Sequence, residues 1–314
     1  MEQIIAQLPQ QVINGLTLGS IYALLALGYS MVYGILRMLN FAHGDVFMVG
    51  SLIGWGVLQL FIKGGAVAVG TPAVGPGPVL VFMVCGAVLA TSALGGAIER
   101  FAYRPLQKGS RLTTLISALG ASIILQNVAM LLTQGRAKAY QTELVISPDW
   151  AISALGATIS ATRIIIISVS IALMLAMDYA VTHTMLGKAM RATSQDREAA
   201  EYMGIRTSRI ISAAFVVGSG LAGIAGVMIG LYYTQVDFMI GFSAGMKAFT
   251  AAVLGGIGNI RGAMAGGLVL GLAESLGVLF LAPVYKDVIV FSVLIAVLIL
   301  KPQGILGKPL DEKV

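Results

Sequence analysis

Three acids and one base fall within six residues at Asp196-Arg197-Glu198-Ala199-Ala200-Glu201, and Tyr202-Met203-Gly204 follows directly. Charges of both signs around small apolar residues make a surface suited to contact rather than to bond chemistry. At helical spacing, Ala192, Ala199 and Met203 share a stripe that Gln195, Asp196, Arg197, Glu198 and Glu201 surround. A small apolar ridge with a polar rim fits a groove on a soluble partner. The plainer alternative is a solvated connector that only caps two spans. Thr193 as an N-cap with Asp196 three residues on, followed by good helix formers and Gly204 as a left-handed stop, predicts one helix from Thr193 to Gly204. About ten such residues give ~15 Å of helix.

Elsewhere reactive side chains are sparse. Cys85 is the single cysteine, which excludes a disulfide framework within the chain and a thiolate metal cluster. It reads as a small buried hydrophobe. His43 and His183 are the only histidines and lie far apart, so no metal centre is expected. No catalytic residue and no cofactor is expected either. No segment reads Gly-x-x-x-x-Gly-Lys-Ser/Thr, so the chain carries no phosphate-cradling P-loop and is not itself an ATPase. Two carboxylates, Asp45 and Glu274, lie in or beside apolar segments. A charge there is costly unless it faces the bundle interior, water or a partner. Glu274 lies about twelve residues past Gly262, hence ~18 Å along a helix and near the bilayer midplane. It is expected to line a path, touch a partner, or serve as a structural hydrogen-bonding carboxylate. Asp45 and His43 are expected near a membrane interface.

The elements that position these residues are membrane spans. With 57% apolar and 11% charged residues over 314, and a mean hydropathy of +0.90, the chain has too little polar surface to coat a soluble globule. Apolar runs of the ~20 residues that a bilayer demands recur throughout. Spans are expected at 12–35, 41–62, 79–98, 112–133, 164–181, 210–233 and 263–282. Ala248 to Ile257 is too short to cross alone, and Val288 to Leu300 crosses if Lys286 and Lys301 snorkel. The fold expected is an all-α membrane protein, a polytopic helical bundle of eight or nine crossings and a single domain over 1–314. Met1-Glu2-Gln3 supplies no positive n-region, so no cleavable signal peptide is expected.

Lys and Arg favour cytoplasmic loops. Arg100, Arg104, Lys108 and Arg111 mark one such loop, and Lys188, Arg191, Arg197, Arg206 and Arg209 mark another, at 183–209. Lys301, Lys308 and Lys313 place the C-terminus on the same side, with the N-terminus opposite. Lys63 to Pro78, Gln134 to Arg163 and Thr234 to Lys247 are expected as outer loops, with Tyr140 and Trp150 at the headgroup level. Topology accounts for the net charge of +6, and nucleic acid need not be invoked.

Two places oppose unbroken helix. Gly255, Gly256, Gly258 and Gly262 crowd eight residues around Asn259, and Asn40 to Gly44 joins two spans with almost no loop. Broken elements are therefore expected near 40–45 and 255–262, where freed backbone faces protein or water and forms a path or gate. Asn40, Gly44, Gly255, Gly256, Gly258, Asn259 and Glu274 are the candidate path residues. The pairs Gly15 and Gly19, Gly241 and Gly245, Gly262 and Gly266, and Gly267 and Gly271 are spaced for close helix packing.

Glu198-Ala199-Ala200-x-x-x-Gly204 resembles the EAA loop of bacterial ABC importer permeases, the coupling helix that sits in a cleft of the ATPase subunit. Thr207 to Ile211 lacks the Ile-x-Leu-Pro of that motif's extended form. A resemblance to the branched-chain amino acid (LIV-type) ABC permeases covers nearly the whole chain, on Asn14 to Leu24, Asn40-Phe41-Ala42-His43-Gly44-Asp45, Gly245 to Gly258, and Tyr285-Lys286-Asp287 with Pro302 to Gly307. The chain looks like the smaller of the two permease partners in that family. The resemblance implies a bacterial inner-membrane transport subunit rather than an enzyme, paired with a second related permease, two ABC ATPase subunits and a periplasmic substrate-binding protein. Carried onto this chain, Asp196, Arg197, Glu198, Ala199, Ala200, Glu201, Met203 and Gly204 would couple to the ATPase. An ion-coupled secondary carrier and a passive channel for small polar solutes are the alternatives. Few ionisable residues lie in the spans, which argues against the carrier.

Overall fold

The computed structural model describes residues 2–65, 76–106, 110–146, 151–154 and 156–307. Lys108, Trp150, Lys308 and Lys313 lie outside the described residues. Among the described residues twelve α-helices follow in chain order: α1 (Glu2–Leu36), α2 (Ala42–Lys63), α3 (Pro76–Ile98), α4 (Arg111–Thr133), α5 (Thr142–Val145), α6 (Ala161–His183), α7 (Met185–Gln195), α8 (Arg197–Tyr202), α9 (Thr207–Tyr233), α10 (Ile240–Gly255), α11 (Ile260–Gly277) and α12 (Lys286–Leu300). A π-helical turn, Glu99–Tyr103, extends α3. Two small antiparallel pairings join β1 (Lys138–Ala139) to β4 (Gln235–Val236) and β2 (Ala151–Ala154) to β3 (Ala157–Ser160).

Among the described residues, α1, α2, α3, α4, α6, α9 and α12 with its preceding turn are long and apolar enough to cross a membrane. The pair α10 and α11 adds an eighth crossing if counted as one span. Residues 256–259 separate the two, and the chain bends there by 120°. Gly256 and Gly258 explain the break, since their φ values of 103° and 88° belong to the left-handed half that only glycine enters freely. Asn259 then restarts the helix by accepting a hydrogen bond from the Gly262 amide at 3.2 Å.

The segment expected as an outer loop, Thr234 to Lys247, instead enters α10 at Ile240, so that Ala248 to Ile257 is the second half of a longer helix plus its turn. The small side chains of Gly241, Ala244, Gly245 and Ala248 let this helix bury itself against α2, a packing signal that a hydropathy scan misses. Tyr140 departs from expectation in the same direction. It is buried, with its hydroxyl donating to the Ser51 carbonyl and its ring lying over Gly230. The notch left by Gly54 and Gly230 admits an aromatic ring that would otherwise sit at the lipid headgroups.

The bundle is centred on α1 and α9, whose most apolar stretches are 83% and 72% buried, against 17% for α4 and for α6 and 6% for α12. The less buried helices thus surround the two most buried ones. Backbones meet closely at the centre because glycines line the seams. A methyl group on Gly15 would stand 2.9 Å from Leu272 Cα, and one on Gly19 2.9 Å from Leu268 Cα. Without water between helices in lipid, such close approach is the main source of association. Gly19→Leu forces α1 and α11 apart and lowers the detergent-solubilised melting temperature, at ~1–3 kcal/mol for overpacking. Gly56→Ala, where an added Cβ has open space around it, leaves the melting temperature unchanged.

Candidate functional site

The polar connector between α6 and α9 folds as two short helices rather than one. Thr193 is not a cap: it lies inside α7, buried, with its hydroxyl bonded back to the Ala189 carbonyl at 2.8 Å. The break falls at Asp196, in extended conformation, whose carboxylate accepts from the Ala199 amide at 3.0 Å and caps α8. Thr184 caps α7 in the same way, 3.1 Å from the Gly187 amide. Gly204 ends α8 at φ 83°, the left-handed stop expected of it.

This register changes which residues face out. Ala200 is buried against the bundle, whereas Ala199 is exposed and Tyr202 and Met203 project into solvent at 89% and 82% exposure. Asp196, Arg197, Glu198 and Glu201 ring them, all exposed. Arg197 pairs with Glu201 at 3.4 Å. The Thr207 hydroxyl, and after it Arg197, hold the Glu201 carboxyl below the ordinary carboxylate range. The result is one exposed aromatic and one methionine on a rim of three acids and one base.

The connector rests on the end of α1 and on the break. Arg37 reaches the Ser194 carbonyl near the C-terminus of α7 at 3.5 Å, where a cation complements the helix dipole. A cavity of about 540 Å³ between them is lined by Leu36, Arg37, Thr114, Ser194, Asp196 and Glu198. A second, of about 60 Å³, is lined by Ser30 and Gly34 of α1, Met190 and Ser194 of α7, and Gly258 and Ile260 of the break. The C-terminal segment closes the same face. The Ile305 and Leu306 amides donate to the Leu254 and Gly255 carbonyls at 2.8 and 3.1 Å, and the Asn259 side chain donates to the Leu306 carbonyl at 2.7 Å. Gly255, Gly256, Gly258 and Asn259 thereby gather beside the connector.

Asn40 and Gly44 lie at the start of α2. Asn40 is buried and accepts from the Tyr103 hydroxyl at 2.7 Å, a contact that the π-helical turn aims inward. Gly44 packs against Gly241 and Gly245 of α10, so the second irregular segment touches the broken pair through α10. His43 and Asp45 are buried within the bundle. The His43 ring packs edge-on to Tyr29 at 4.7 Å, and Asp45 accepts from Gln126 at 3.0 Å.

Glu274 is fully buried on α11 and is held by Lys247 of α10 at 2.9 Å and by the Tyr22 hydroxyl of α1 at 3.0 Å. Lys247 also pairs with Asp287 of α12 at 3.0 Å. One ammonium thus ties three helices. Lys247 was legible as a charge inside Gly245 to Gly258, but the expected outer loop placed it in water. Lys247→Met leaves the Glu274 carboxylate buried without its cation, at ~3–5 kcal/mol by the usual cost of a broken buried pair. Its melting temperature falls, and the double variant Lys247→Met/Glu274→Gln recovers much of the loss.

A helical bundle with a broken span beside a polar connector is the build of a membrane transport subunit. The family model described as "Branched-chain amino acid transport system / permease component" matches residues 11–298. The chain is 46% identical over 307 residues to the high-affinity branched-chain amino acid transport system permease protein BraD of Pseudomonas aeruginosa, covering 97% of each chain. It is 45% identical over 308 residues to the permease protein LivH of Escherichia coli K12, again over 97% of each. A probable branched-chain amino acid transport permease of Methanocaldococcus jannaschii is 27% identical over 301 residues, 92% of this chain and 89% of that one. The chain belongs to the branched-chain amino acid transport permease family.

Proposed function

We propose that this chain is a permease subunit of an ATP-driven importer and that it forms, with a second related permease, the inner-membrane path for branched-chain amino acids. The observation that carries the reading is the meeting of the connector with the helix break across a cavity lined by Met190, Ser194, Gly258 and Ile260. Two ATPase subunits dock on the connectors from the cytoplasm, and a periplasmic binding protein delivers the solute from the other side. Support for this orientation comes from Arg37, Arg191, Arg197, Arg206 and Arg209 at the connector end, as positive charge favours the cytoplasm. The packing of the segment up to Gly307 at that end supports a cytoplasmic C-terminus and a periplasmic start of α1.

Residues 183–209 are the coupling loop within a single permease domain. Tyr202 and Met203 enter the ATPase cleft, Asp196, Arg197, Glu198 and Glu201 form its polar rim, Ala199 lies between them, Ala200 anchors α8 to the bundle, and Gly204 sets the exit angle. Gly255, Gly256, Gly258 and Asn259 gate the path, with Asn40 and Gly44 as its second irregular element and Glu274 holding the gate's α11 arm in place.

Co-purification tests the reading. The tagged chain is expected to retain ATPase subunits and to support ATP-dependent leucine uptake. Tyr202→Ala weakens subunit retention ~30-fold, as truncation of a ~2 kcal/mol anchor does. Glu198→Lys stops uptake while the chain remains folded. Leucine uptake in liposomes on an ion gradient alone, without ATPase subunits, overturns the importer in favour of a carrier.

A further inference from the structure

Asp178 and Arg261 have no part in the face described above, yet they flank it. Arg261 is the second residue of α11, directly after the break. Asp178 lies in the last turns of α6, the helix that leads into the connector. The guanidinium meets the carboxylate through two parallel hydrogen bonds, Nε to Oδ1 at 2.8 Å and Nη2 to Oδ2 at 3.0 Å. Among the described residues this pair supplies the polar contact between α6 and α11.

Its geometry and exposure point away from a stabilising role. The side chains are 67% and 23% exposed, and an exposed ion pair contributes little to stability. A bidentate pair does fix the mutual orientation of two planar groups. α6 ends at Thr184, which is extended and caps α7, and α7 is braced on that end: the Arg191 guanidinium donates to the Val181 carbonyl, and the Thr184 amide bonds to the Ala180 carbonyl at 3.3 Å. A tilt of α7 therefore reaches Asp178. Behind Arg261 the chain turns at Gly256 and Gly258, both at positive φ, which is where α11 can swing against α10.

We propose that the Asp178–Arg261 pair is the link through which movement of the connector repositions α11 and opens or closes the break. Both are positioning residues. The proposal rests on the importer reading, and it adds the contact that carries the stroke. It is tested in the assembled complex with Arg261→Gln, Asp178→Asn and the exchanged pair Asp178→Arg/Arg261→Asp, reading ATPase-subunit retention, melting temperature, ATP hydrolysis and leucine imported per ATP. The single variants are expected to keep their ATPase subunits, melt as the parent does and hydrolyse ATP, but to import about tenfold less leucine per ATP, within the usual range of coupling between sites. The exchanged pair restores most of that ratio. Single variants with the parent's leucine per ATP overturn the link, as does a loss of uptake that subunit retention or melting temperature fully explains. A parent complex that imports leucine without ATP overturns instead the importer reading beneath it.

Discussion

Backbone groups released inside a membrane have no water to turn to. Where α10 gives way to α11, the Leu254 and Gly255 carbonyls accept from the Ile305 and Leu306 amides, and the Gly258 amide donates to the Ser30 hydroxyl at 3.2 Å. The glycines permit the break, and the C-terminal segment and α1 satisfy the backbone groups it frees. The same end of α1 then positions the connector, since α7 packs on it, with Gly258 and Ile260 facing α7 across the small cavity. A requirement of local hydrogen bonding thus brings the chain's most irregular intramembrane segment against its most charged connector.

The far arm of the broken pair is held by charge. Lys247 meets both Glu274 and Asp287, and Tyr22 completes the coordination of Glu274. Buried pairs repay their desolvation only with such added hydrogen bonds. Glycine seams along α1 and α11 let the helices approach closely enough for these groups to meet. The pair is tied by backbone at the sharp turn and by an ion network at the far ends of its two arms.

Much of this was legible in the residues. The α9 span, the left-handed stop at Gly204, the glycine break before Asn259 and the close-packing glycine pairs follow from local rules, and the structure carries them. What was not legible depends on distant partners. Thr193 is an interior residue because its hydroxyl finds Ala189, and Asp196 takes over as cap. Tyr140 is buried because Gly54 and Gly230 leave it room, and Lys247 is buried because Glu274 and Asp287 pair with it. Tyr202 is exposed beside Met203 because the register set by the Asp196 cap turns it outward.

The central claim is that the connector and the break must move relative to each other for solute to pass. Cysteines replacing Ser194 and Ile260, which line the same small cavity, can be bridged by a reducible cross-linker in a Cys85→Ala background. The account predicts that bridging stops ATP-dependent leucine uptake and that reduction restores it. Uptake at the unbridged rate with the cross-link intact would contradict it.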